Sequence, residues 1–424
     1  MSTRWTGMAE RRIRDVLEQR ILEDPVVALH GPRSVGKSKL LRDFADGRGV
    51  AVVDLDDPAV LEAVASSPGL AVRGSSPVCI DEYQRVPQVL DALKALLNTN
   101  GAAAGTAVLT GSTRHDALPR SAQALTGRLH VLTILPLSQG ELGGHRENFL
   151  ERMLTDPTGT VTVHPASATG RDEYIERVCA GGFPLALRRA GASRDRWFDD
   201  YVRLSIERDV LELARIHQRE ALRRLLERFA GQTGQVLNMR KAGADLGVRH
   251  ETVEAHARLL EDLFLVQRLP AWGKTLRARA TSSPKVHIVD SGLAARLLRL
   301  SPSKLATLEA SALTEFGNLL ETFVVNELRK QVSWLDQPVT VGHWRTHDGD
   351  EVDFVVEDDD GRVLAVEVKA GDRVPGGQLG GLRKLRDALG PRLIAGVALC
   401  TGPRSYTAED RIHVMPVDRL WRPT

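Results

Sequence analysis

Along the first 150 residues, short apolar runs alternate with stretches whose apolar residues recur at helical spacing. Met8, Ile13, Val16, Leu17 and Ile21 share one face over residues 8–22, with the charges elsewhere, which predicts an amphipathic helix. Val26-Val27-Ala28-Leu29 predicts a buried strand running into a glycine-bearing loop, and Leu40, Leu41 and Phe44 predict the helix that follows. The alternation continues through strand-like 50–53, helical 56–66, strand-like 78–80, helical 87–98 and strand-like 107–109. Strands alternating with helices imply an α/β fold with a parallel sheet covered on both faces.

Beyond that region the pattern changes. Residues 150–172 are rich in Gly, Pro, Ser and Thr and predict a loop or linker. Residues 172–231 read as helical throughout, with Leu222, Leu225, Leu226 and Phe229 on one face. From 237 to 270, Ala242, Leu246, Val248 and Val253 predict two short helices about Gly247, followed by a strand-like 264–269, a layout compatible with a winged helix-turn-helix. A long helix near 313–331 opens the last unit, and β-rich sequence follows to the C-terminus. The expected organisation is a P-loop domain over 1–150, a helical lid or linker over 151–232, a winged-helix domain over 233–300 and an α/β domain over 301–424.

Composition narrows the function classes. Apolar residues at 42% and charged residues at 26% are those of an ordinary soluble protein, and no run approaches the ~20 apolar residues that span a bilayer. The first twenty residues lack an apolar core and a cleavage site, so a cytoplasmic location is expected. Cys79, Cys179 and Cys400 are too scattered for a disulfide framework or a cysteine zinc site. A net charge of +2 gives no global attraction to nucleic acid, so any such contact must come from local patches.

Gly31-Pro32-Arg33-Ser34-Val35-Gly36-Lys37-Ser38 fits G-x4-G-K-[ST] between a predicted strand and a predicted helix, the context this motif needs. Its amides are expected to curl around phosphate oxygens at a helix N-terminus, with Lys37 on the β- and γ-phosphates, the Ser38 hydroxyl on magnesium and Lys39 completing the ATP-binding stretch. Asp81 and Glu82 end the next apolar strand; Asp81 is expected to hold Mg2+ and Glu82 to act as general base. Thr110 and Ser112 follow the third strand, either sensing the γ-phosphate or capping the next helix. Of Arg114, Arg120 and Arg128, the last is the candidate arginine finger, in cis or from a neighbouring subunit of a homo-oligomer, with a surface salt bridge as the alternative.

GPRSVGKS, IDEYQRVP, TGST, LTGRL followed by PLSQGEL, and GGFP at 181–184 together resemble a family of prokaryotic AAA-type ATPases. Those proteins carry a C-terminal domain of unknown function with a restriction-endonuclease-like fold. Family members more often have Gln at the position of Ser34 and Thr at that of Ser38. The resemblance implies ATP binding and hydrolysis.

Residues 351–369 predict two strands about an Asp-Gly turn, each with one apolar and one charged face. With an odd-length connection, Asp353 lies opposite Glu367, their Cβ atoms ~5 Å apart. Such a pair repels unless a cation sits between. The layout resembles the D…E-x-K core of the PD-(D/E)XK nuclease fold. That resemblance implies a metal site of Glu321, Asp353 and Glu367, with Lys369 orienting a water. The same hairpin also fits an ordinary solvated charged face, and eight acids between 348 and 360 would repel a phosphate backbone.

Arg258 on the second helix of the helix-turn-helix, about Glu251 to Asp262, and Arg249 just before it are offset by Glu251, Glu254, Glu261 and Asp262, a poor phosphate footprint. Lys274, Arg277 and Arg279 would form a basic wing, and Trp272 would stack on a base. The leading expectation is therefore an ATP-driven enzyme acting on nucleic acid, DNA before RNA, with a nuclease-like domain. The alternative is a nucleotide-dependent switch whose C-terminal domain binds a protein partner. Neither involves a membrane.

Overall fold

The computed structural model describes residues 9–74, 76–113, 125–162, 166–209, 219–244, 250–273 and 283–422. β1 (Val26–His30), β2 (Val52–Asp54), β3 (Val78–Asp81), β4 (Ala107–Gly111) and β5 (Leu129–Thr133) form one parallel sheet in the order β2-β3-β4-β1-β5. Period-2 alternation divides its side chains between two apolar layers. Val27 and Leu29 pack with Leu17, Ile21, Leu41 and Phe44 of the helices Ile13–Glu23 and Lys37–Asp46, while Val26 and Ala28 pack with Leu90, Leu93 and Leu97 of the helix Val89–Thr99. Each such side chain contributes about 1.5–3 kcal/mol by leaving water. The helix Pro58–Ser66 starts as its sequence predicts, with Pro58 in the first turn and the Asp57 carboxylate accepting from the N–H groups of Ala59 (2.8 Å) and Val60 (3.3 Å).

The expected linker over 150–172 is largely ordered. Helices Phe149–Thr155 and Pro157–Thr162 occupy its first part. Asp156 accepts from Gly159 N–H at 2.9 Å, so Asp-Pro here starts a helix, and Val161 is buried behind it. Composition concealed this because helix-start residues are also loop residues.

Next come the helices Arg171–Ala180, Ala192–Leu204 and Arg219–Gly231. Helices Met239–Ala244 and His250–Asp262 precede an antiparallel hairpin of β7 (Val266–Leu269) and β8 (Lys285–Ile288), to which β6 (Gln235–Val236) adds an edge. Gly247, Arg249 and the basic stretch Lys274, Arg277, Arg279 lie outside the described residues.

The last sheet runs β13-β14-β12-β11-β10-β9, comprising β9 (Val339–Arg345), β10 (Glu351–Asp358), β11 (Val363–Lys369), β12 (Leu393–Cys400), β13 (Tyr406–Glu409) and β14 (Ile412–Pro416). β10 and β11 pair antiparallel, and the crossover from β11 to parallel β12 carries the helix Gly380–Leu389. Both faces of the hairpin are covered, contrary to the expected charged face. Phe354, Val356, Leu364 and Val366 share a core with the long helix Ala310–Ser333, whereas Val355, Val363 and Ala365 pack on Leu382, Leu385 and Leu389. A bulge against β9 between Val352 and Val355 turns Val352 into this second layer, breaking the alternation on which the expectation relied. One continuous apolar core runs from Ile13 through the long helix to Trp421.

Candidate functional site

The P-loop leaves β1 and enters the helix Lys37–Asp46 through Gly31 (φ 154°), Ser34 (φ 63°) and Gly36 (φ 97°). A Cβ on Gly31 would stand 2.1 Å from the carbonyl oxygen of Ile134, so only glycine lets the loop pass this close to the chain after β5. Pro32 and Val35 are buried, and Arg33 is half-buried. Lys37 is 4% exposed, and its Nζ donates to the carbonyl oxygens of Gly31 and Pro32, both at 2.9 Å. Lys39 is exposed and pairs with Asp43 at 2.9 Å.

Because β4 lies between β1 and β3, its carboxyl end sits between the P-loop and Asp81. Asp81 Oδ1 accepts from Ser38 Oγ at 3.2 Å and from Thr110 Oγ1, which in turn accepts from Glu82 N–H at 3.1 Å. Glu82 has a left-handed backbone (φ 54°), a conformation that concentrates at functional corners. Its carboxylate accepts from Gln84 Nε2 and, at 3.2 Å, from Ser112 Oγ. Lys37, Ser38, Asp81, Glu82, Thr110 and Ser112 are therefore brought together at the carboxyl ends of parallel strands, where ligands bind in such sheets. Arg42 adds positive charge, 3.1 Å from Asp54 and 4.0 Å from Asp81.

Arg128 is not part of this group. It immediately precedes β5, its carbonyl accepts from Val26 N–H at 3.1 Å, and its guanidinium donates to Asn98 at 2.7 Å. It thus stands at the amino edge of the sheet, a strand length from the P-loop, and cannot act as an arginine finger in cis. Arg114 and Arg120 lie outside the described residues.

The sequence assigned no role to an open cleft beside the P-loop. Val35, Leu40, Leu137 and Pro184 provide apolar wall, and Arg14 and Arg188 provide charge. Leu137 belongs to PLSQGEL and Pro184 to GGFP, two of the segments that carry the family resemblance, which was the available signal. Arg11 holds this region together, donating to Val35 O at 3.2 Å and Leu135 O at 2.6 Å and pairing with Glu141 at 3.3 Å.

PLSQGEL forms a capping box: Ser138 Oγ accepts from Glu141 N–H at 3.0 Å, and Glu141 accepts from Ser138 N–H at 2.9 Å. Glu327 and Lys330 of the long helix complete it, through Gln139 N–H on Glu327 (2.8 Å) and Lys330 Nζ on Leu137 O (3.0 Å). Glu147 lies buried against the same turn and accepts from Ser138 Oγ and Gly140 N–H, while its Oε2 has no hydrogen-bond partner among the described residues. Burial, with the charge of Glu327 adding to it, pushes the Glu147 carboxyl up to about 7. A Cβ on Gly182 of GGFP would fall 2.3 Å from Leu137 O, which explains a glycine there.

In the C-terminal domain, the hairpin register continued by one residue from Phe354↔Val366 sets Asp353 opposite Glu367, as the connection length required. Four of the six carboxylate oxygens of Glu321, Asp353 and Glu367 are already engaged. Lys285 of β8, 1% exposed, donates to Asp353 Oδ1 at 2.7 Å and Glu321 Oε1 at 2.8 Å and lies 4.0 Å from Glu351. Asp353 Oδ2 accepts from Val368 N–H at 2.8 Å, and Glu367 Oε1 takes Lys369 at 2.5 Å. Burial alone would lower the Lys285 ammonium, but Asp353 and Glu321 outweigh it and hold its pKa well above the usual range. Burial, then the Asp353 charge, raises Glu321 and pushes Glu367 up to about 7. Among the described residues, no three acidic, histidine or cysteine side chains are arranged to hold a metal ion, and Glu321 and Asp353 are instead bridged by Lys285.

One nucleic-acid expectation is also corrected. Trp272 is buried, with Nε1 donating to Glu357 at 2.9 Å, so it offers no face to a base. On the second helix, Glu254 and Glu261 pair with Arg268 of β7 at 3.1 and 2.5 Å. Among the described residues, no helix is long and apolar enough to cross a membrane.

Residues 23–143 match the sequence profile of an AAA domain, residues 171–304 a domain of unknown function (DUF8612) and residues 316–420 a domain of unknown function (DUF4143). Residues 23–143 are thus a P-loop domain of AAA type. Uncharacterized proteins of Mycobacterium tuberculosis (Rv2008c) and Mycobacterium bovis (Mb2031c) are each 27% identical over 399 residues, covering 93% of this chain and 81% of theirs. Among solved structures, the Walker-type ATPase of Pyrococcus abyssi aligns with a TM-score of 0.42 and 15% identity over 70% of this chain and 98% of its own. The RuvB Holliday junction branch migration motor of Thermotoga maritima aligns at 0.30 and 15% over 62% and 90%. AMPPCP-bound DnaA of Aquifex aeolicus aligns at 0.28 and 12% over 60% and 89%.

Proposed function

We propose that this chain binds ATP with Mg2+ at Gly31–Ser38, hydrolyses it, and uses the bound state to set the position of the long helix, as a nucleotide-dependent switch. The observation that carries the reading is the convergence of Lys37, Ser38, Asp81 and Thr110 at one edge of the parallel sheet. In binding, Lys37 exchanges the carbonyls of Gly31 and Pro32 for phosphate oxygens. The Ser38 hydroxyl and Asp81 carboxylate, 3.2 Å apart, are the hard oxygen donors that suit Mg2+, which supplies charge neutralisation to the phosphates. The base of the nucleotide enters the cleft between Val35, Leu40, Leu137 and Pro184. Glu82 orients the attacking water and accepts its proton once its carboxylate turns from Gln84 and Ser112.

The switch reading is supported by shared residues. Leu137 and Pro184 line the cleft, and Leu137 O is held by Lys330 of the long helix, so closure on a nucleotide pulls directly on that helix. The helices and antiparallel strands of residues 235–288 are read here as a winged-helix unit and the mixed sheet of the last domain as nuclease-like, and in the switch reading that last domain docks a protein partner. Phosphate release by the purified chain, with and without DNA or RNA, tests the proposal. Hydrolysis indifferent to nucleic acid supports the switch, severalfold stimulation supports an enzyme acting on nucleic acid, and neither binding nor hydrolysis of ATP refutes both.

A further inference from the structure

We infer that Lys285 is the resident cation of the C-terminal acidic pocket, taking the place of a divalent metal and excluding it. The inference rests on the nuclease-like reading of residues 301–424. Glu321 arrives on the long helix, Asp353 on β10 and Glu367 on the paired strand β11, and the helix meets the two strands through apolar packing. Mutual repulsion of buried carboxylates at that junction has to be relieved by positive charge. The Lys285 Nζ supplies it from a fourth element, lying 2.7 Å from Asp353 Oδ1 and 2.8 Å from Glu321 Oε1.

An ion about 2.1 Å from the same two oxygens, as Mg2+ requires, would coincide with the ammonium. The remaining Asp353 oxygen is taken by Val368 N–H, which leaves Glu367 Oε2 buried with no hydrogen-bond partner among the described residues. That orphaned oxygen does not by itself make a metal site. Lys285 also belongs to β8, the central strand of the small sheet, so the cation is anchored in a different unit from its acids. The charge pairing therefore fastens residues 235–288 to the C-terminal sheet without any metal. A β-branched or acidic residue at 285 would leave the acids unpaired.

The test is a titration of the nucleotide-free full chain with Mn2+, followed by electron paramagnetic resonance of the free ion. Wild type and Asp353→Asn are expected to bind the same amount. Lys285→Met is expected to gain one Mn2+ per chain, at least tenfold tighter than any site in the wild type, and to lose it again when combined with Asp353→Asn. Its melting temperature should rise with Mn2+ while that of the wild type does not move. A wild-type Mn2+ that Asp353→Asn abolishes overturns the inference, as does a folded Lys285→Met that gains none. The wild-type comparison decides the matter even where Lys285→Met does not fold. No nucleotide enters this titration, so its failure leaves ATP hydrolysis unaffected, and a chain inactive on ATP leaves this result standing.

Discussion

Gln139 and Glu327 lie 188 residues apart, and the backbone N–H of the first donates to the buried carboxylate of the second at 2.8 Å. The same carboxylate takes the Lys330 ammonium at 2.6 Å. Glu327→Ala would strand a buried N–H and a buried ammonium together, a change that costs about 3–5 kcal/mol. Urea unfolding monitored by fluorescence should show it, with Glu327→Gln intermediate because its carbonyl still accepts from Gln139.

Lys37→Ala should lower ATP turnover by about 100-fold or more, the usual effect of removing one preorganised charge from a transition state. Glu82→Gln should leave ATP binding intact and slow hydrolysis by about 100-fold to 10,000-fold, the range of a general base. Equilibrium binding of a fluorescent ATP analogue beside phosphate release separates the two effects.

Arg128→Ala should change the ATPase rate by no more than about twofold, the scale of an exposed substitution away from the site. Its guanidinium is held by Asn98 at the amino edge of the sheet. A rate loss that grows with protein concentration would instead place Arg128 at a contact between copies.

Glu147 should make the chain less stable in base. Its carboxyl stands near 7 when folded against an ordinary 4.5. The folded chain therefore binds more protons between those values, and stability falls as pH rises from about 5 through 7. At about 1.4 kcal/mol per pKa unit, complete ionisation removes up to about 3 kcal/mol. Thermal unfolding of Glu147→Gln at pH 5 and 8 should show a flatter profile and a gain confined to the higher pH.

Gly182→Ala should destabilise by about 1–3 kcal/mol, because the new methyl meets Leu137 O at 2.3 Å and backbone must move. The nucleotide cleft should loosen with it, and titration with ATP would show weaker binding alongside the lower melting temperature.

The parts of this molecule legible in its sequence are those whose signal is local. The glycines and lysine of Gly31–Ser38, the apolar strand into Asp81 and the hairpin setting Asp353 opposite Glu367 all depend on periodicity and spacing within a few tens of residues. The cis role of Arg128 was not decidable from the sequence because motif order does not say at which end of a strand a residue falls; β5 begins just after it, on the far edge. Lys285 was not legible at all. A lysine heading Lys285-Val286-His287-Ile288 reads as a solvated strand start, and its acids come from 36 and 68 positions further along the chain. Trp272 failed for a related reason, since a tryptophan beside a basic stretch fits equally a base-stacking surface and a core.

The long helix Ala310–Ser333 serves every other part of the chain at once: Gln139 and Leu150 N–H bond to it from the P-loop side, Asn326 reaches Ile288 O, and its apolar face lies under β10 and β11. A gene cut just before it would yield a front half with amides left in want of acceptors and a bare greasy trough. Expression of the ATP-handling half alone should therefore give inclusion bodies, and the smallest piece that survives digestion by trypsin should still contain both ends of this rod.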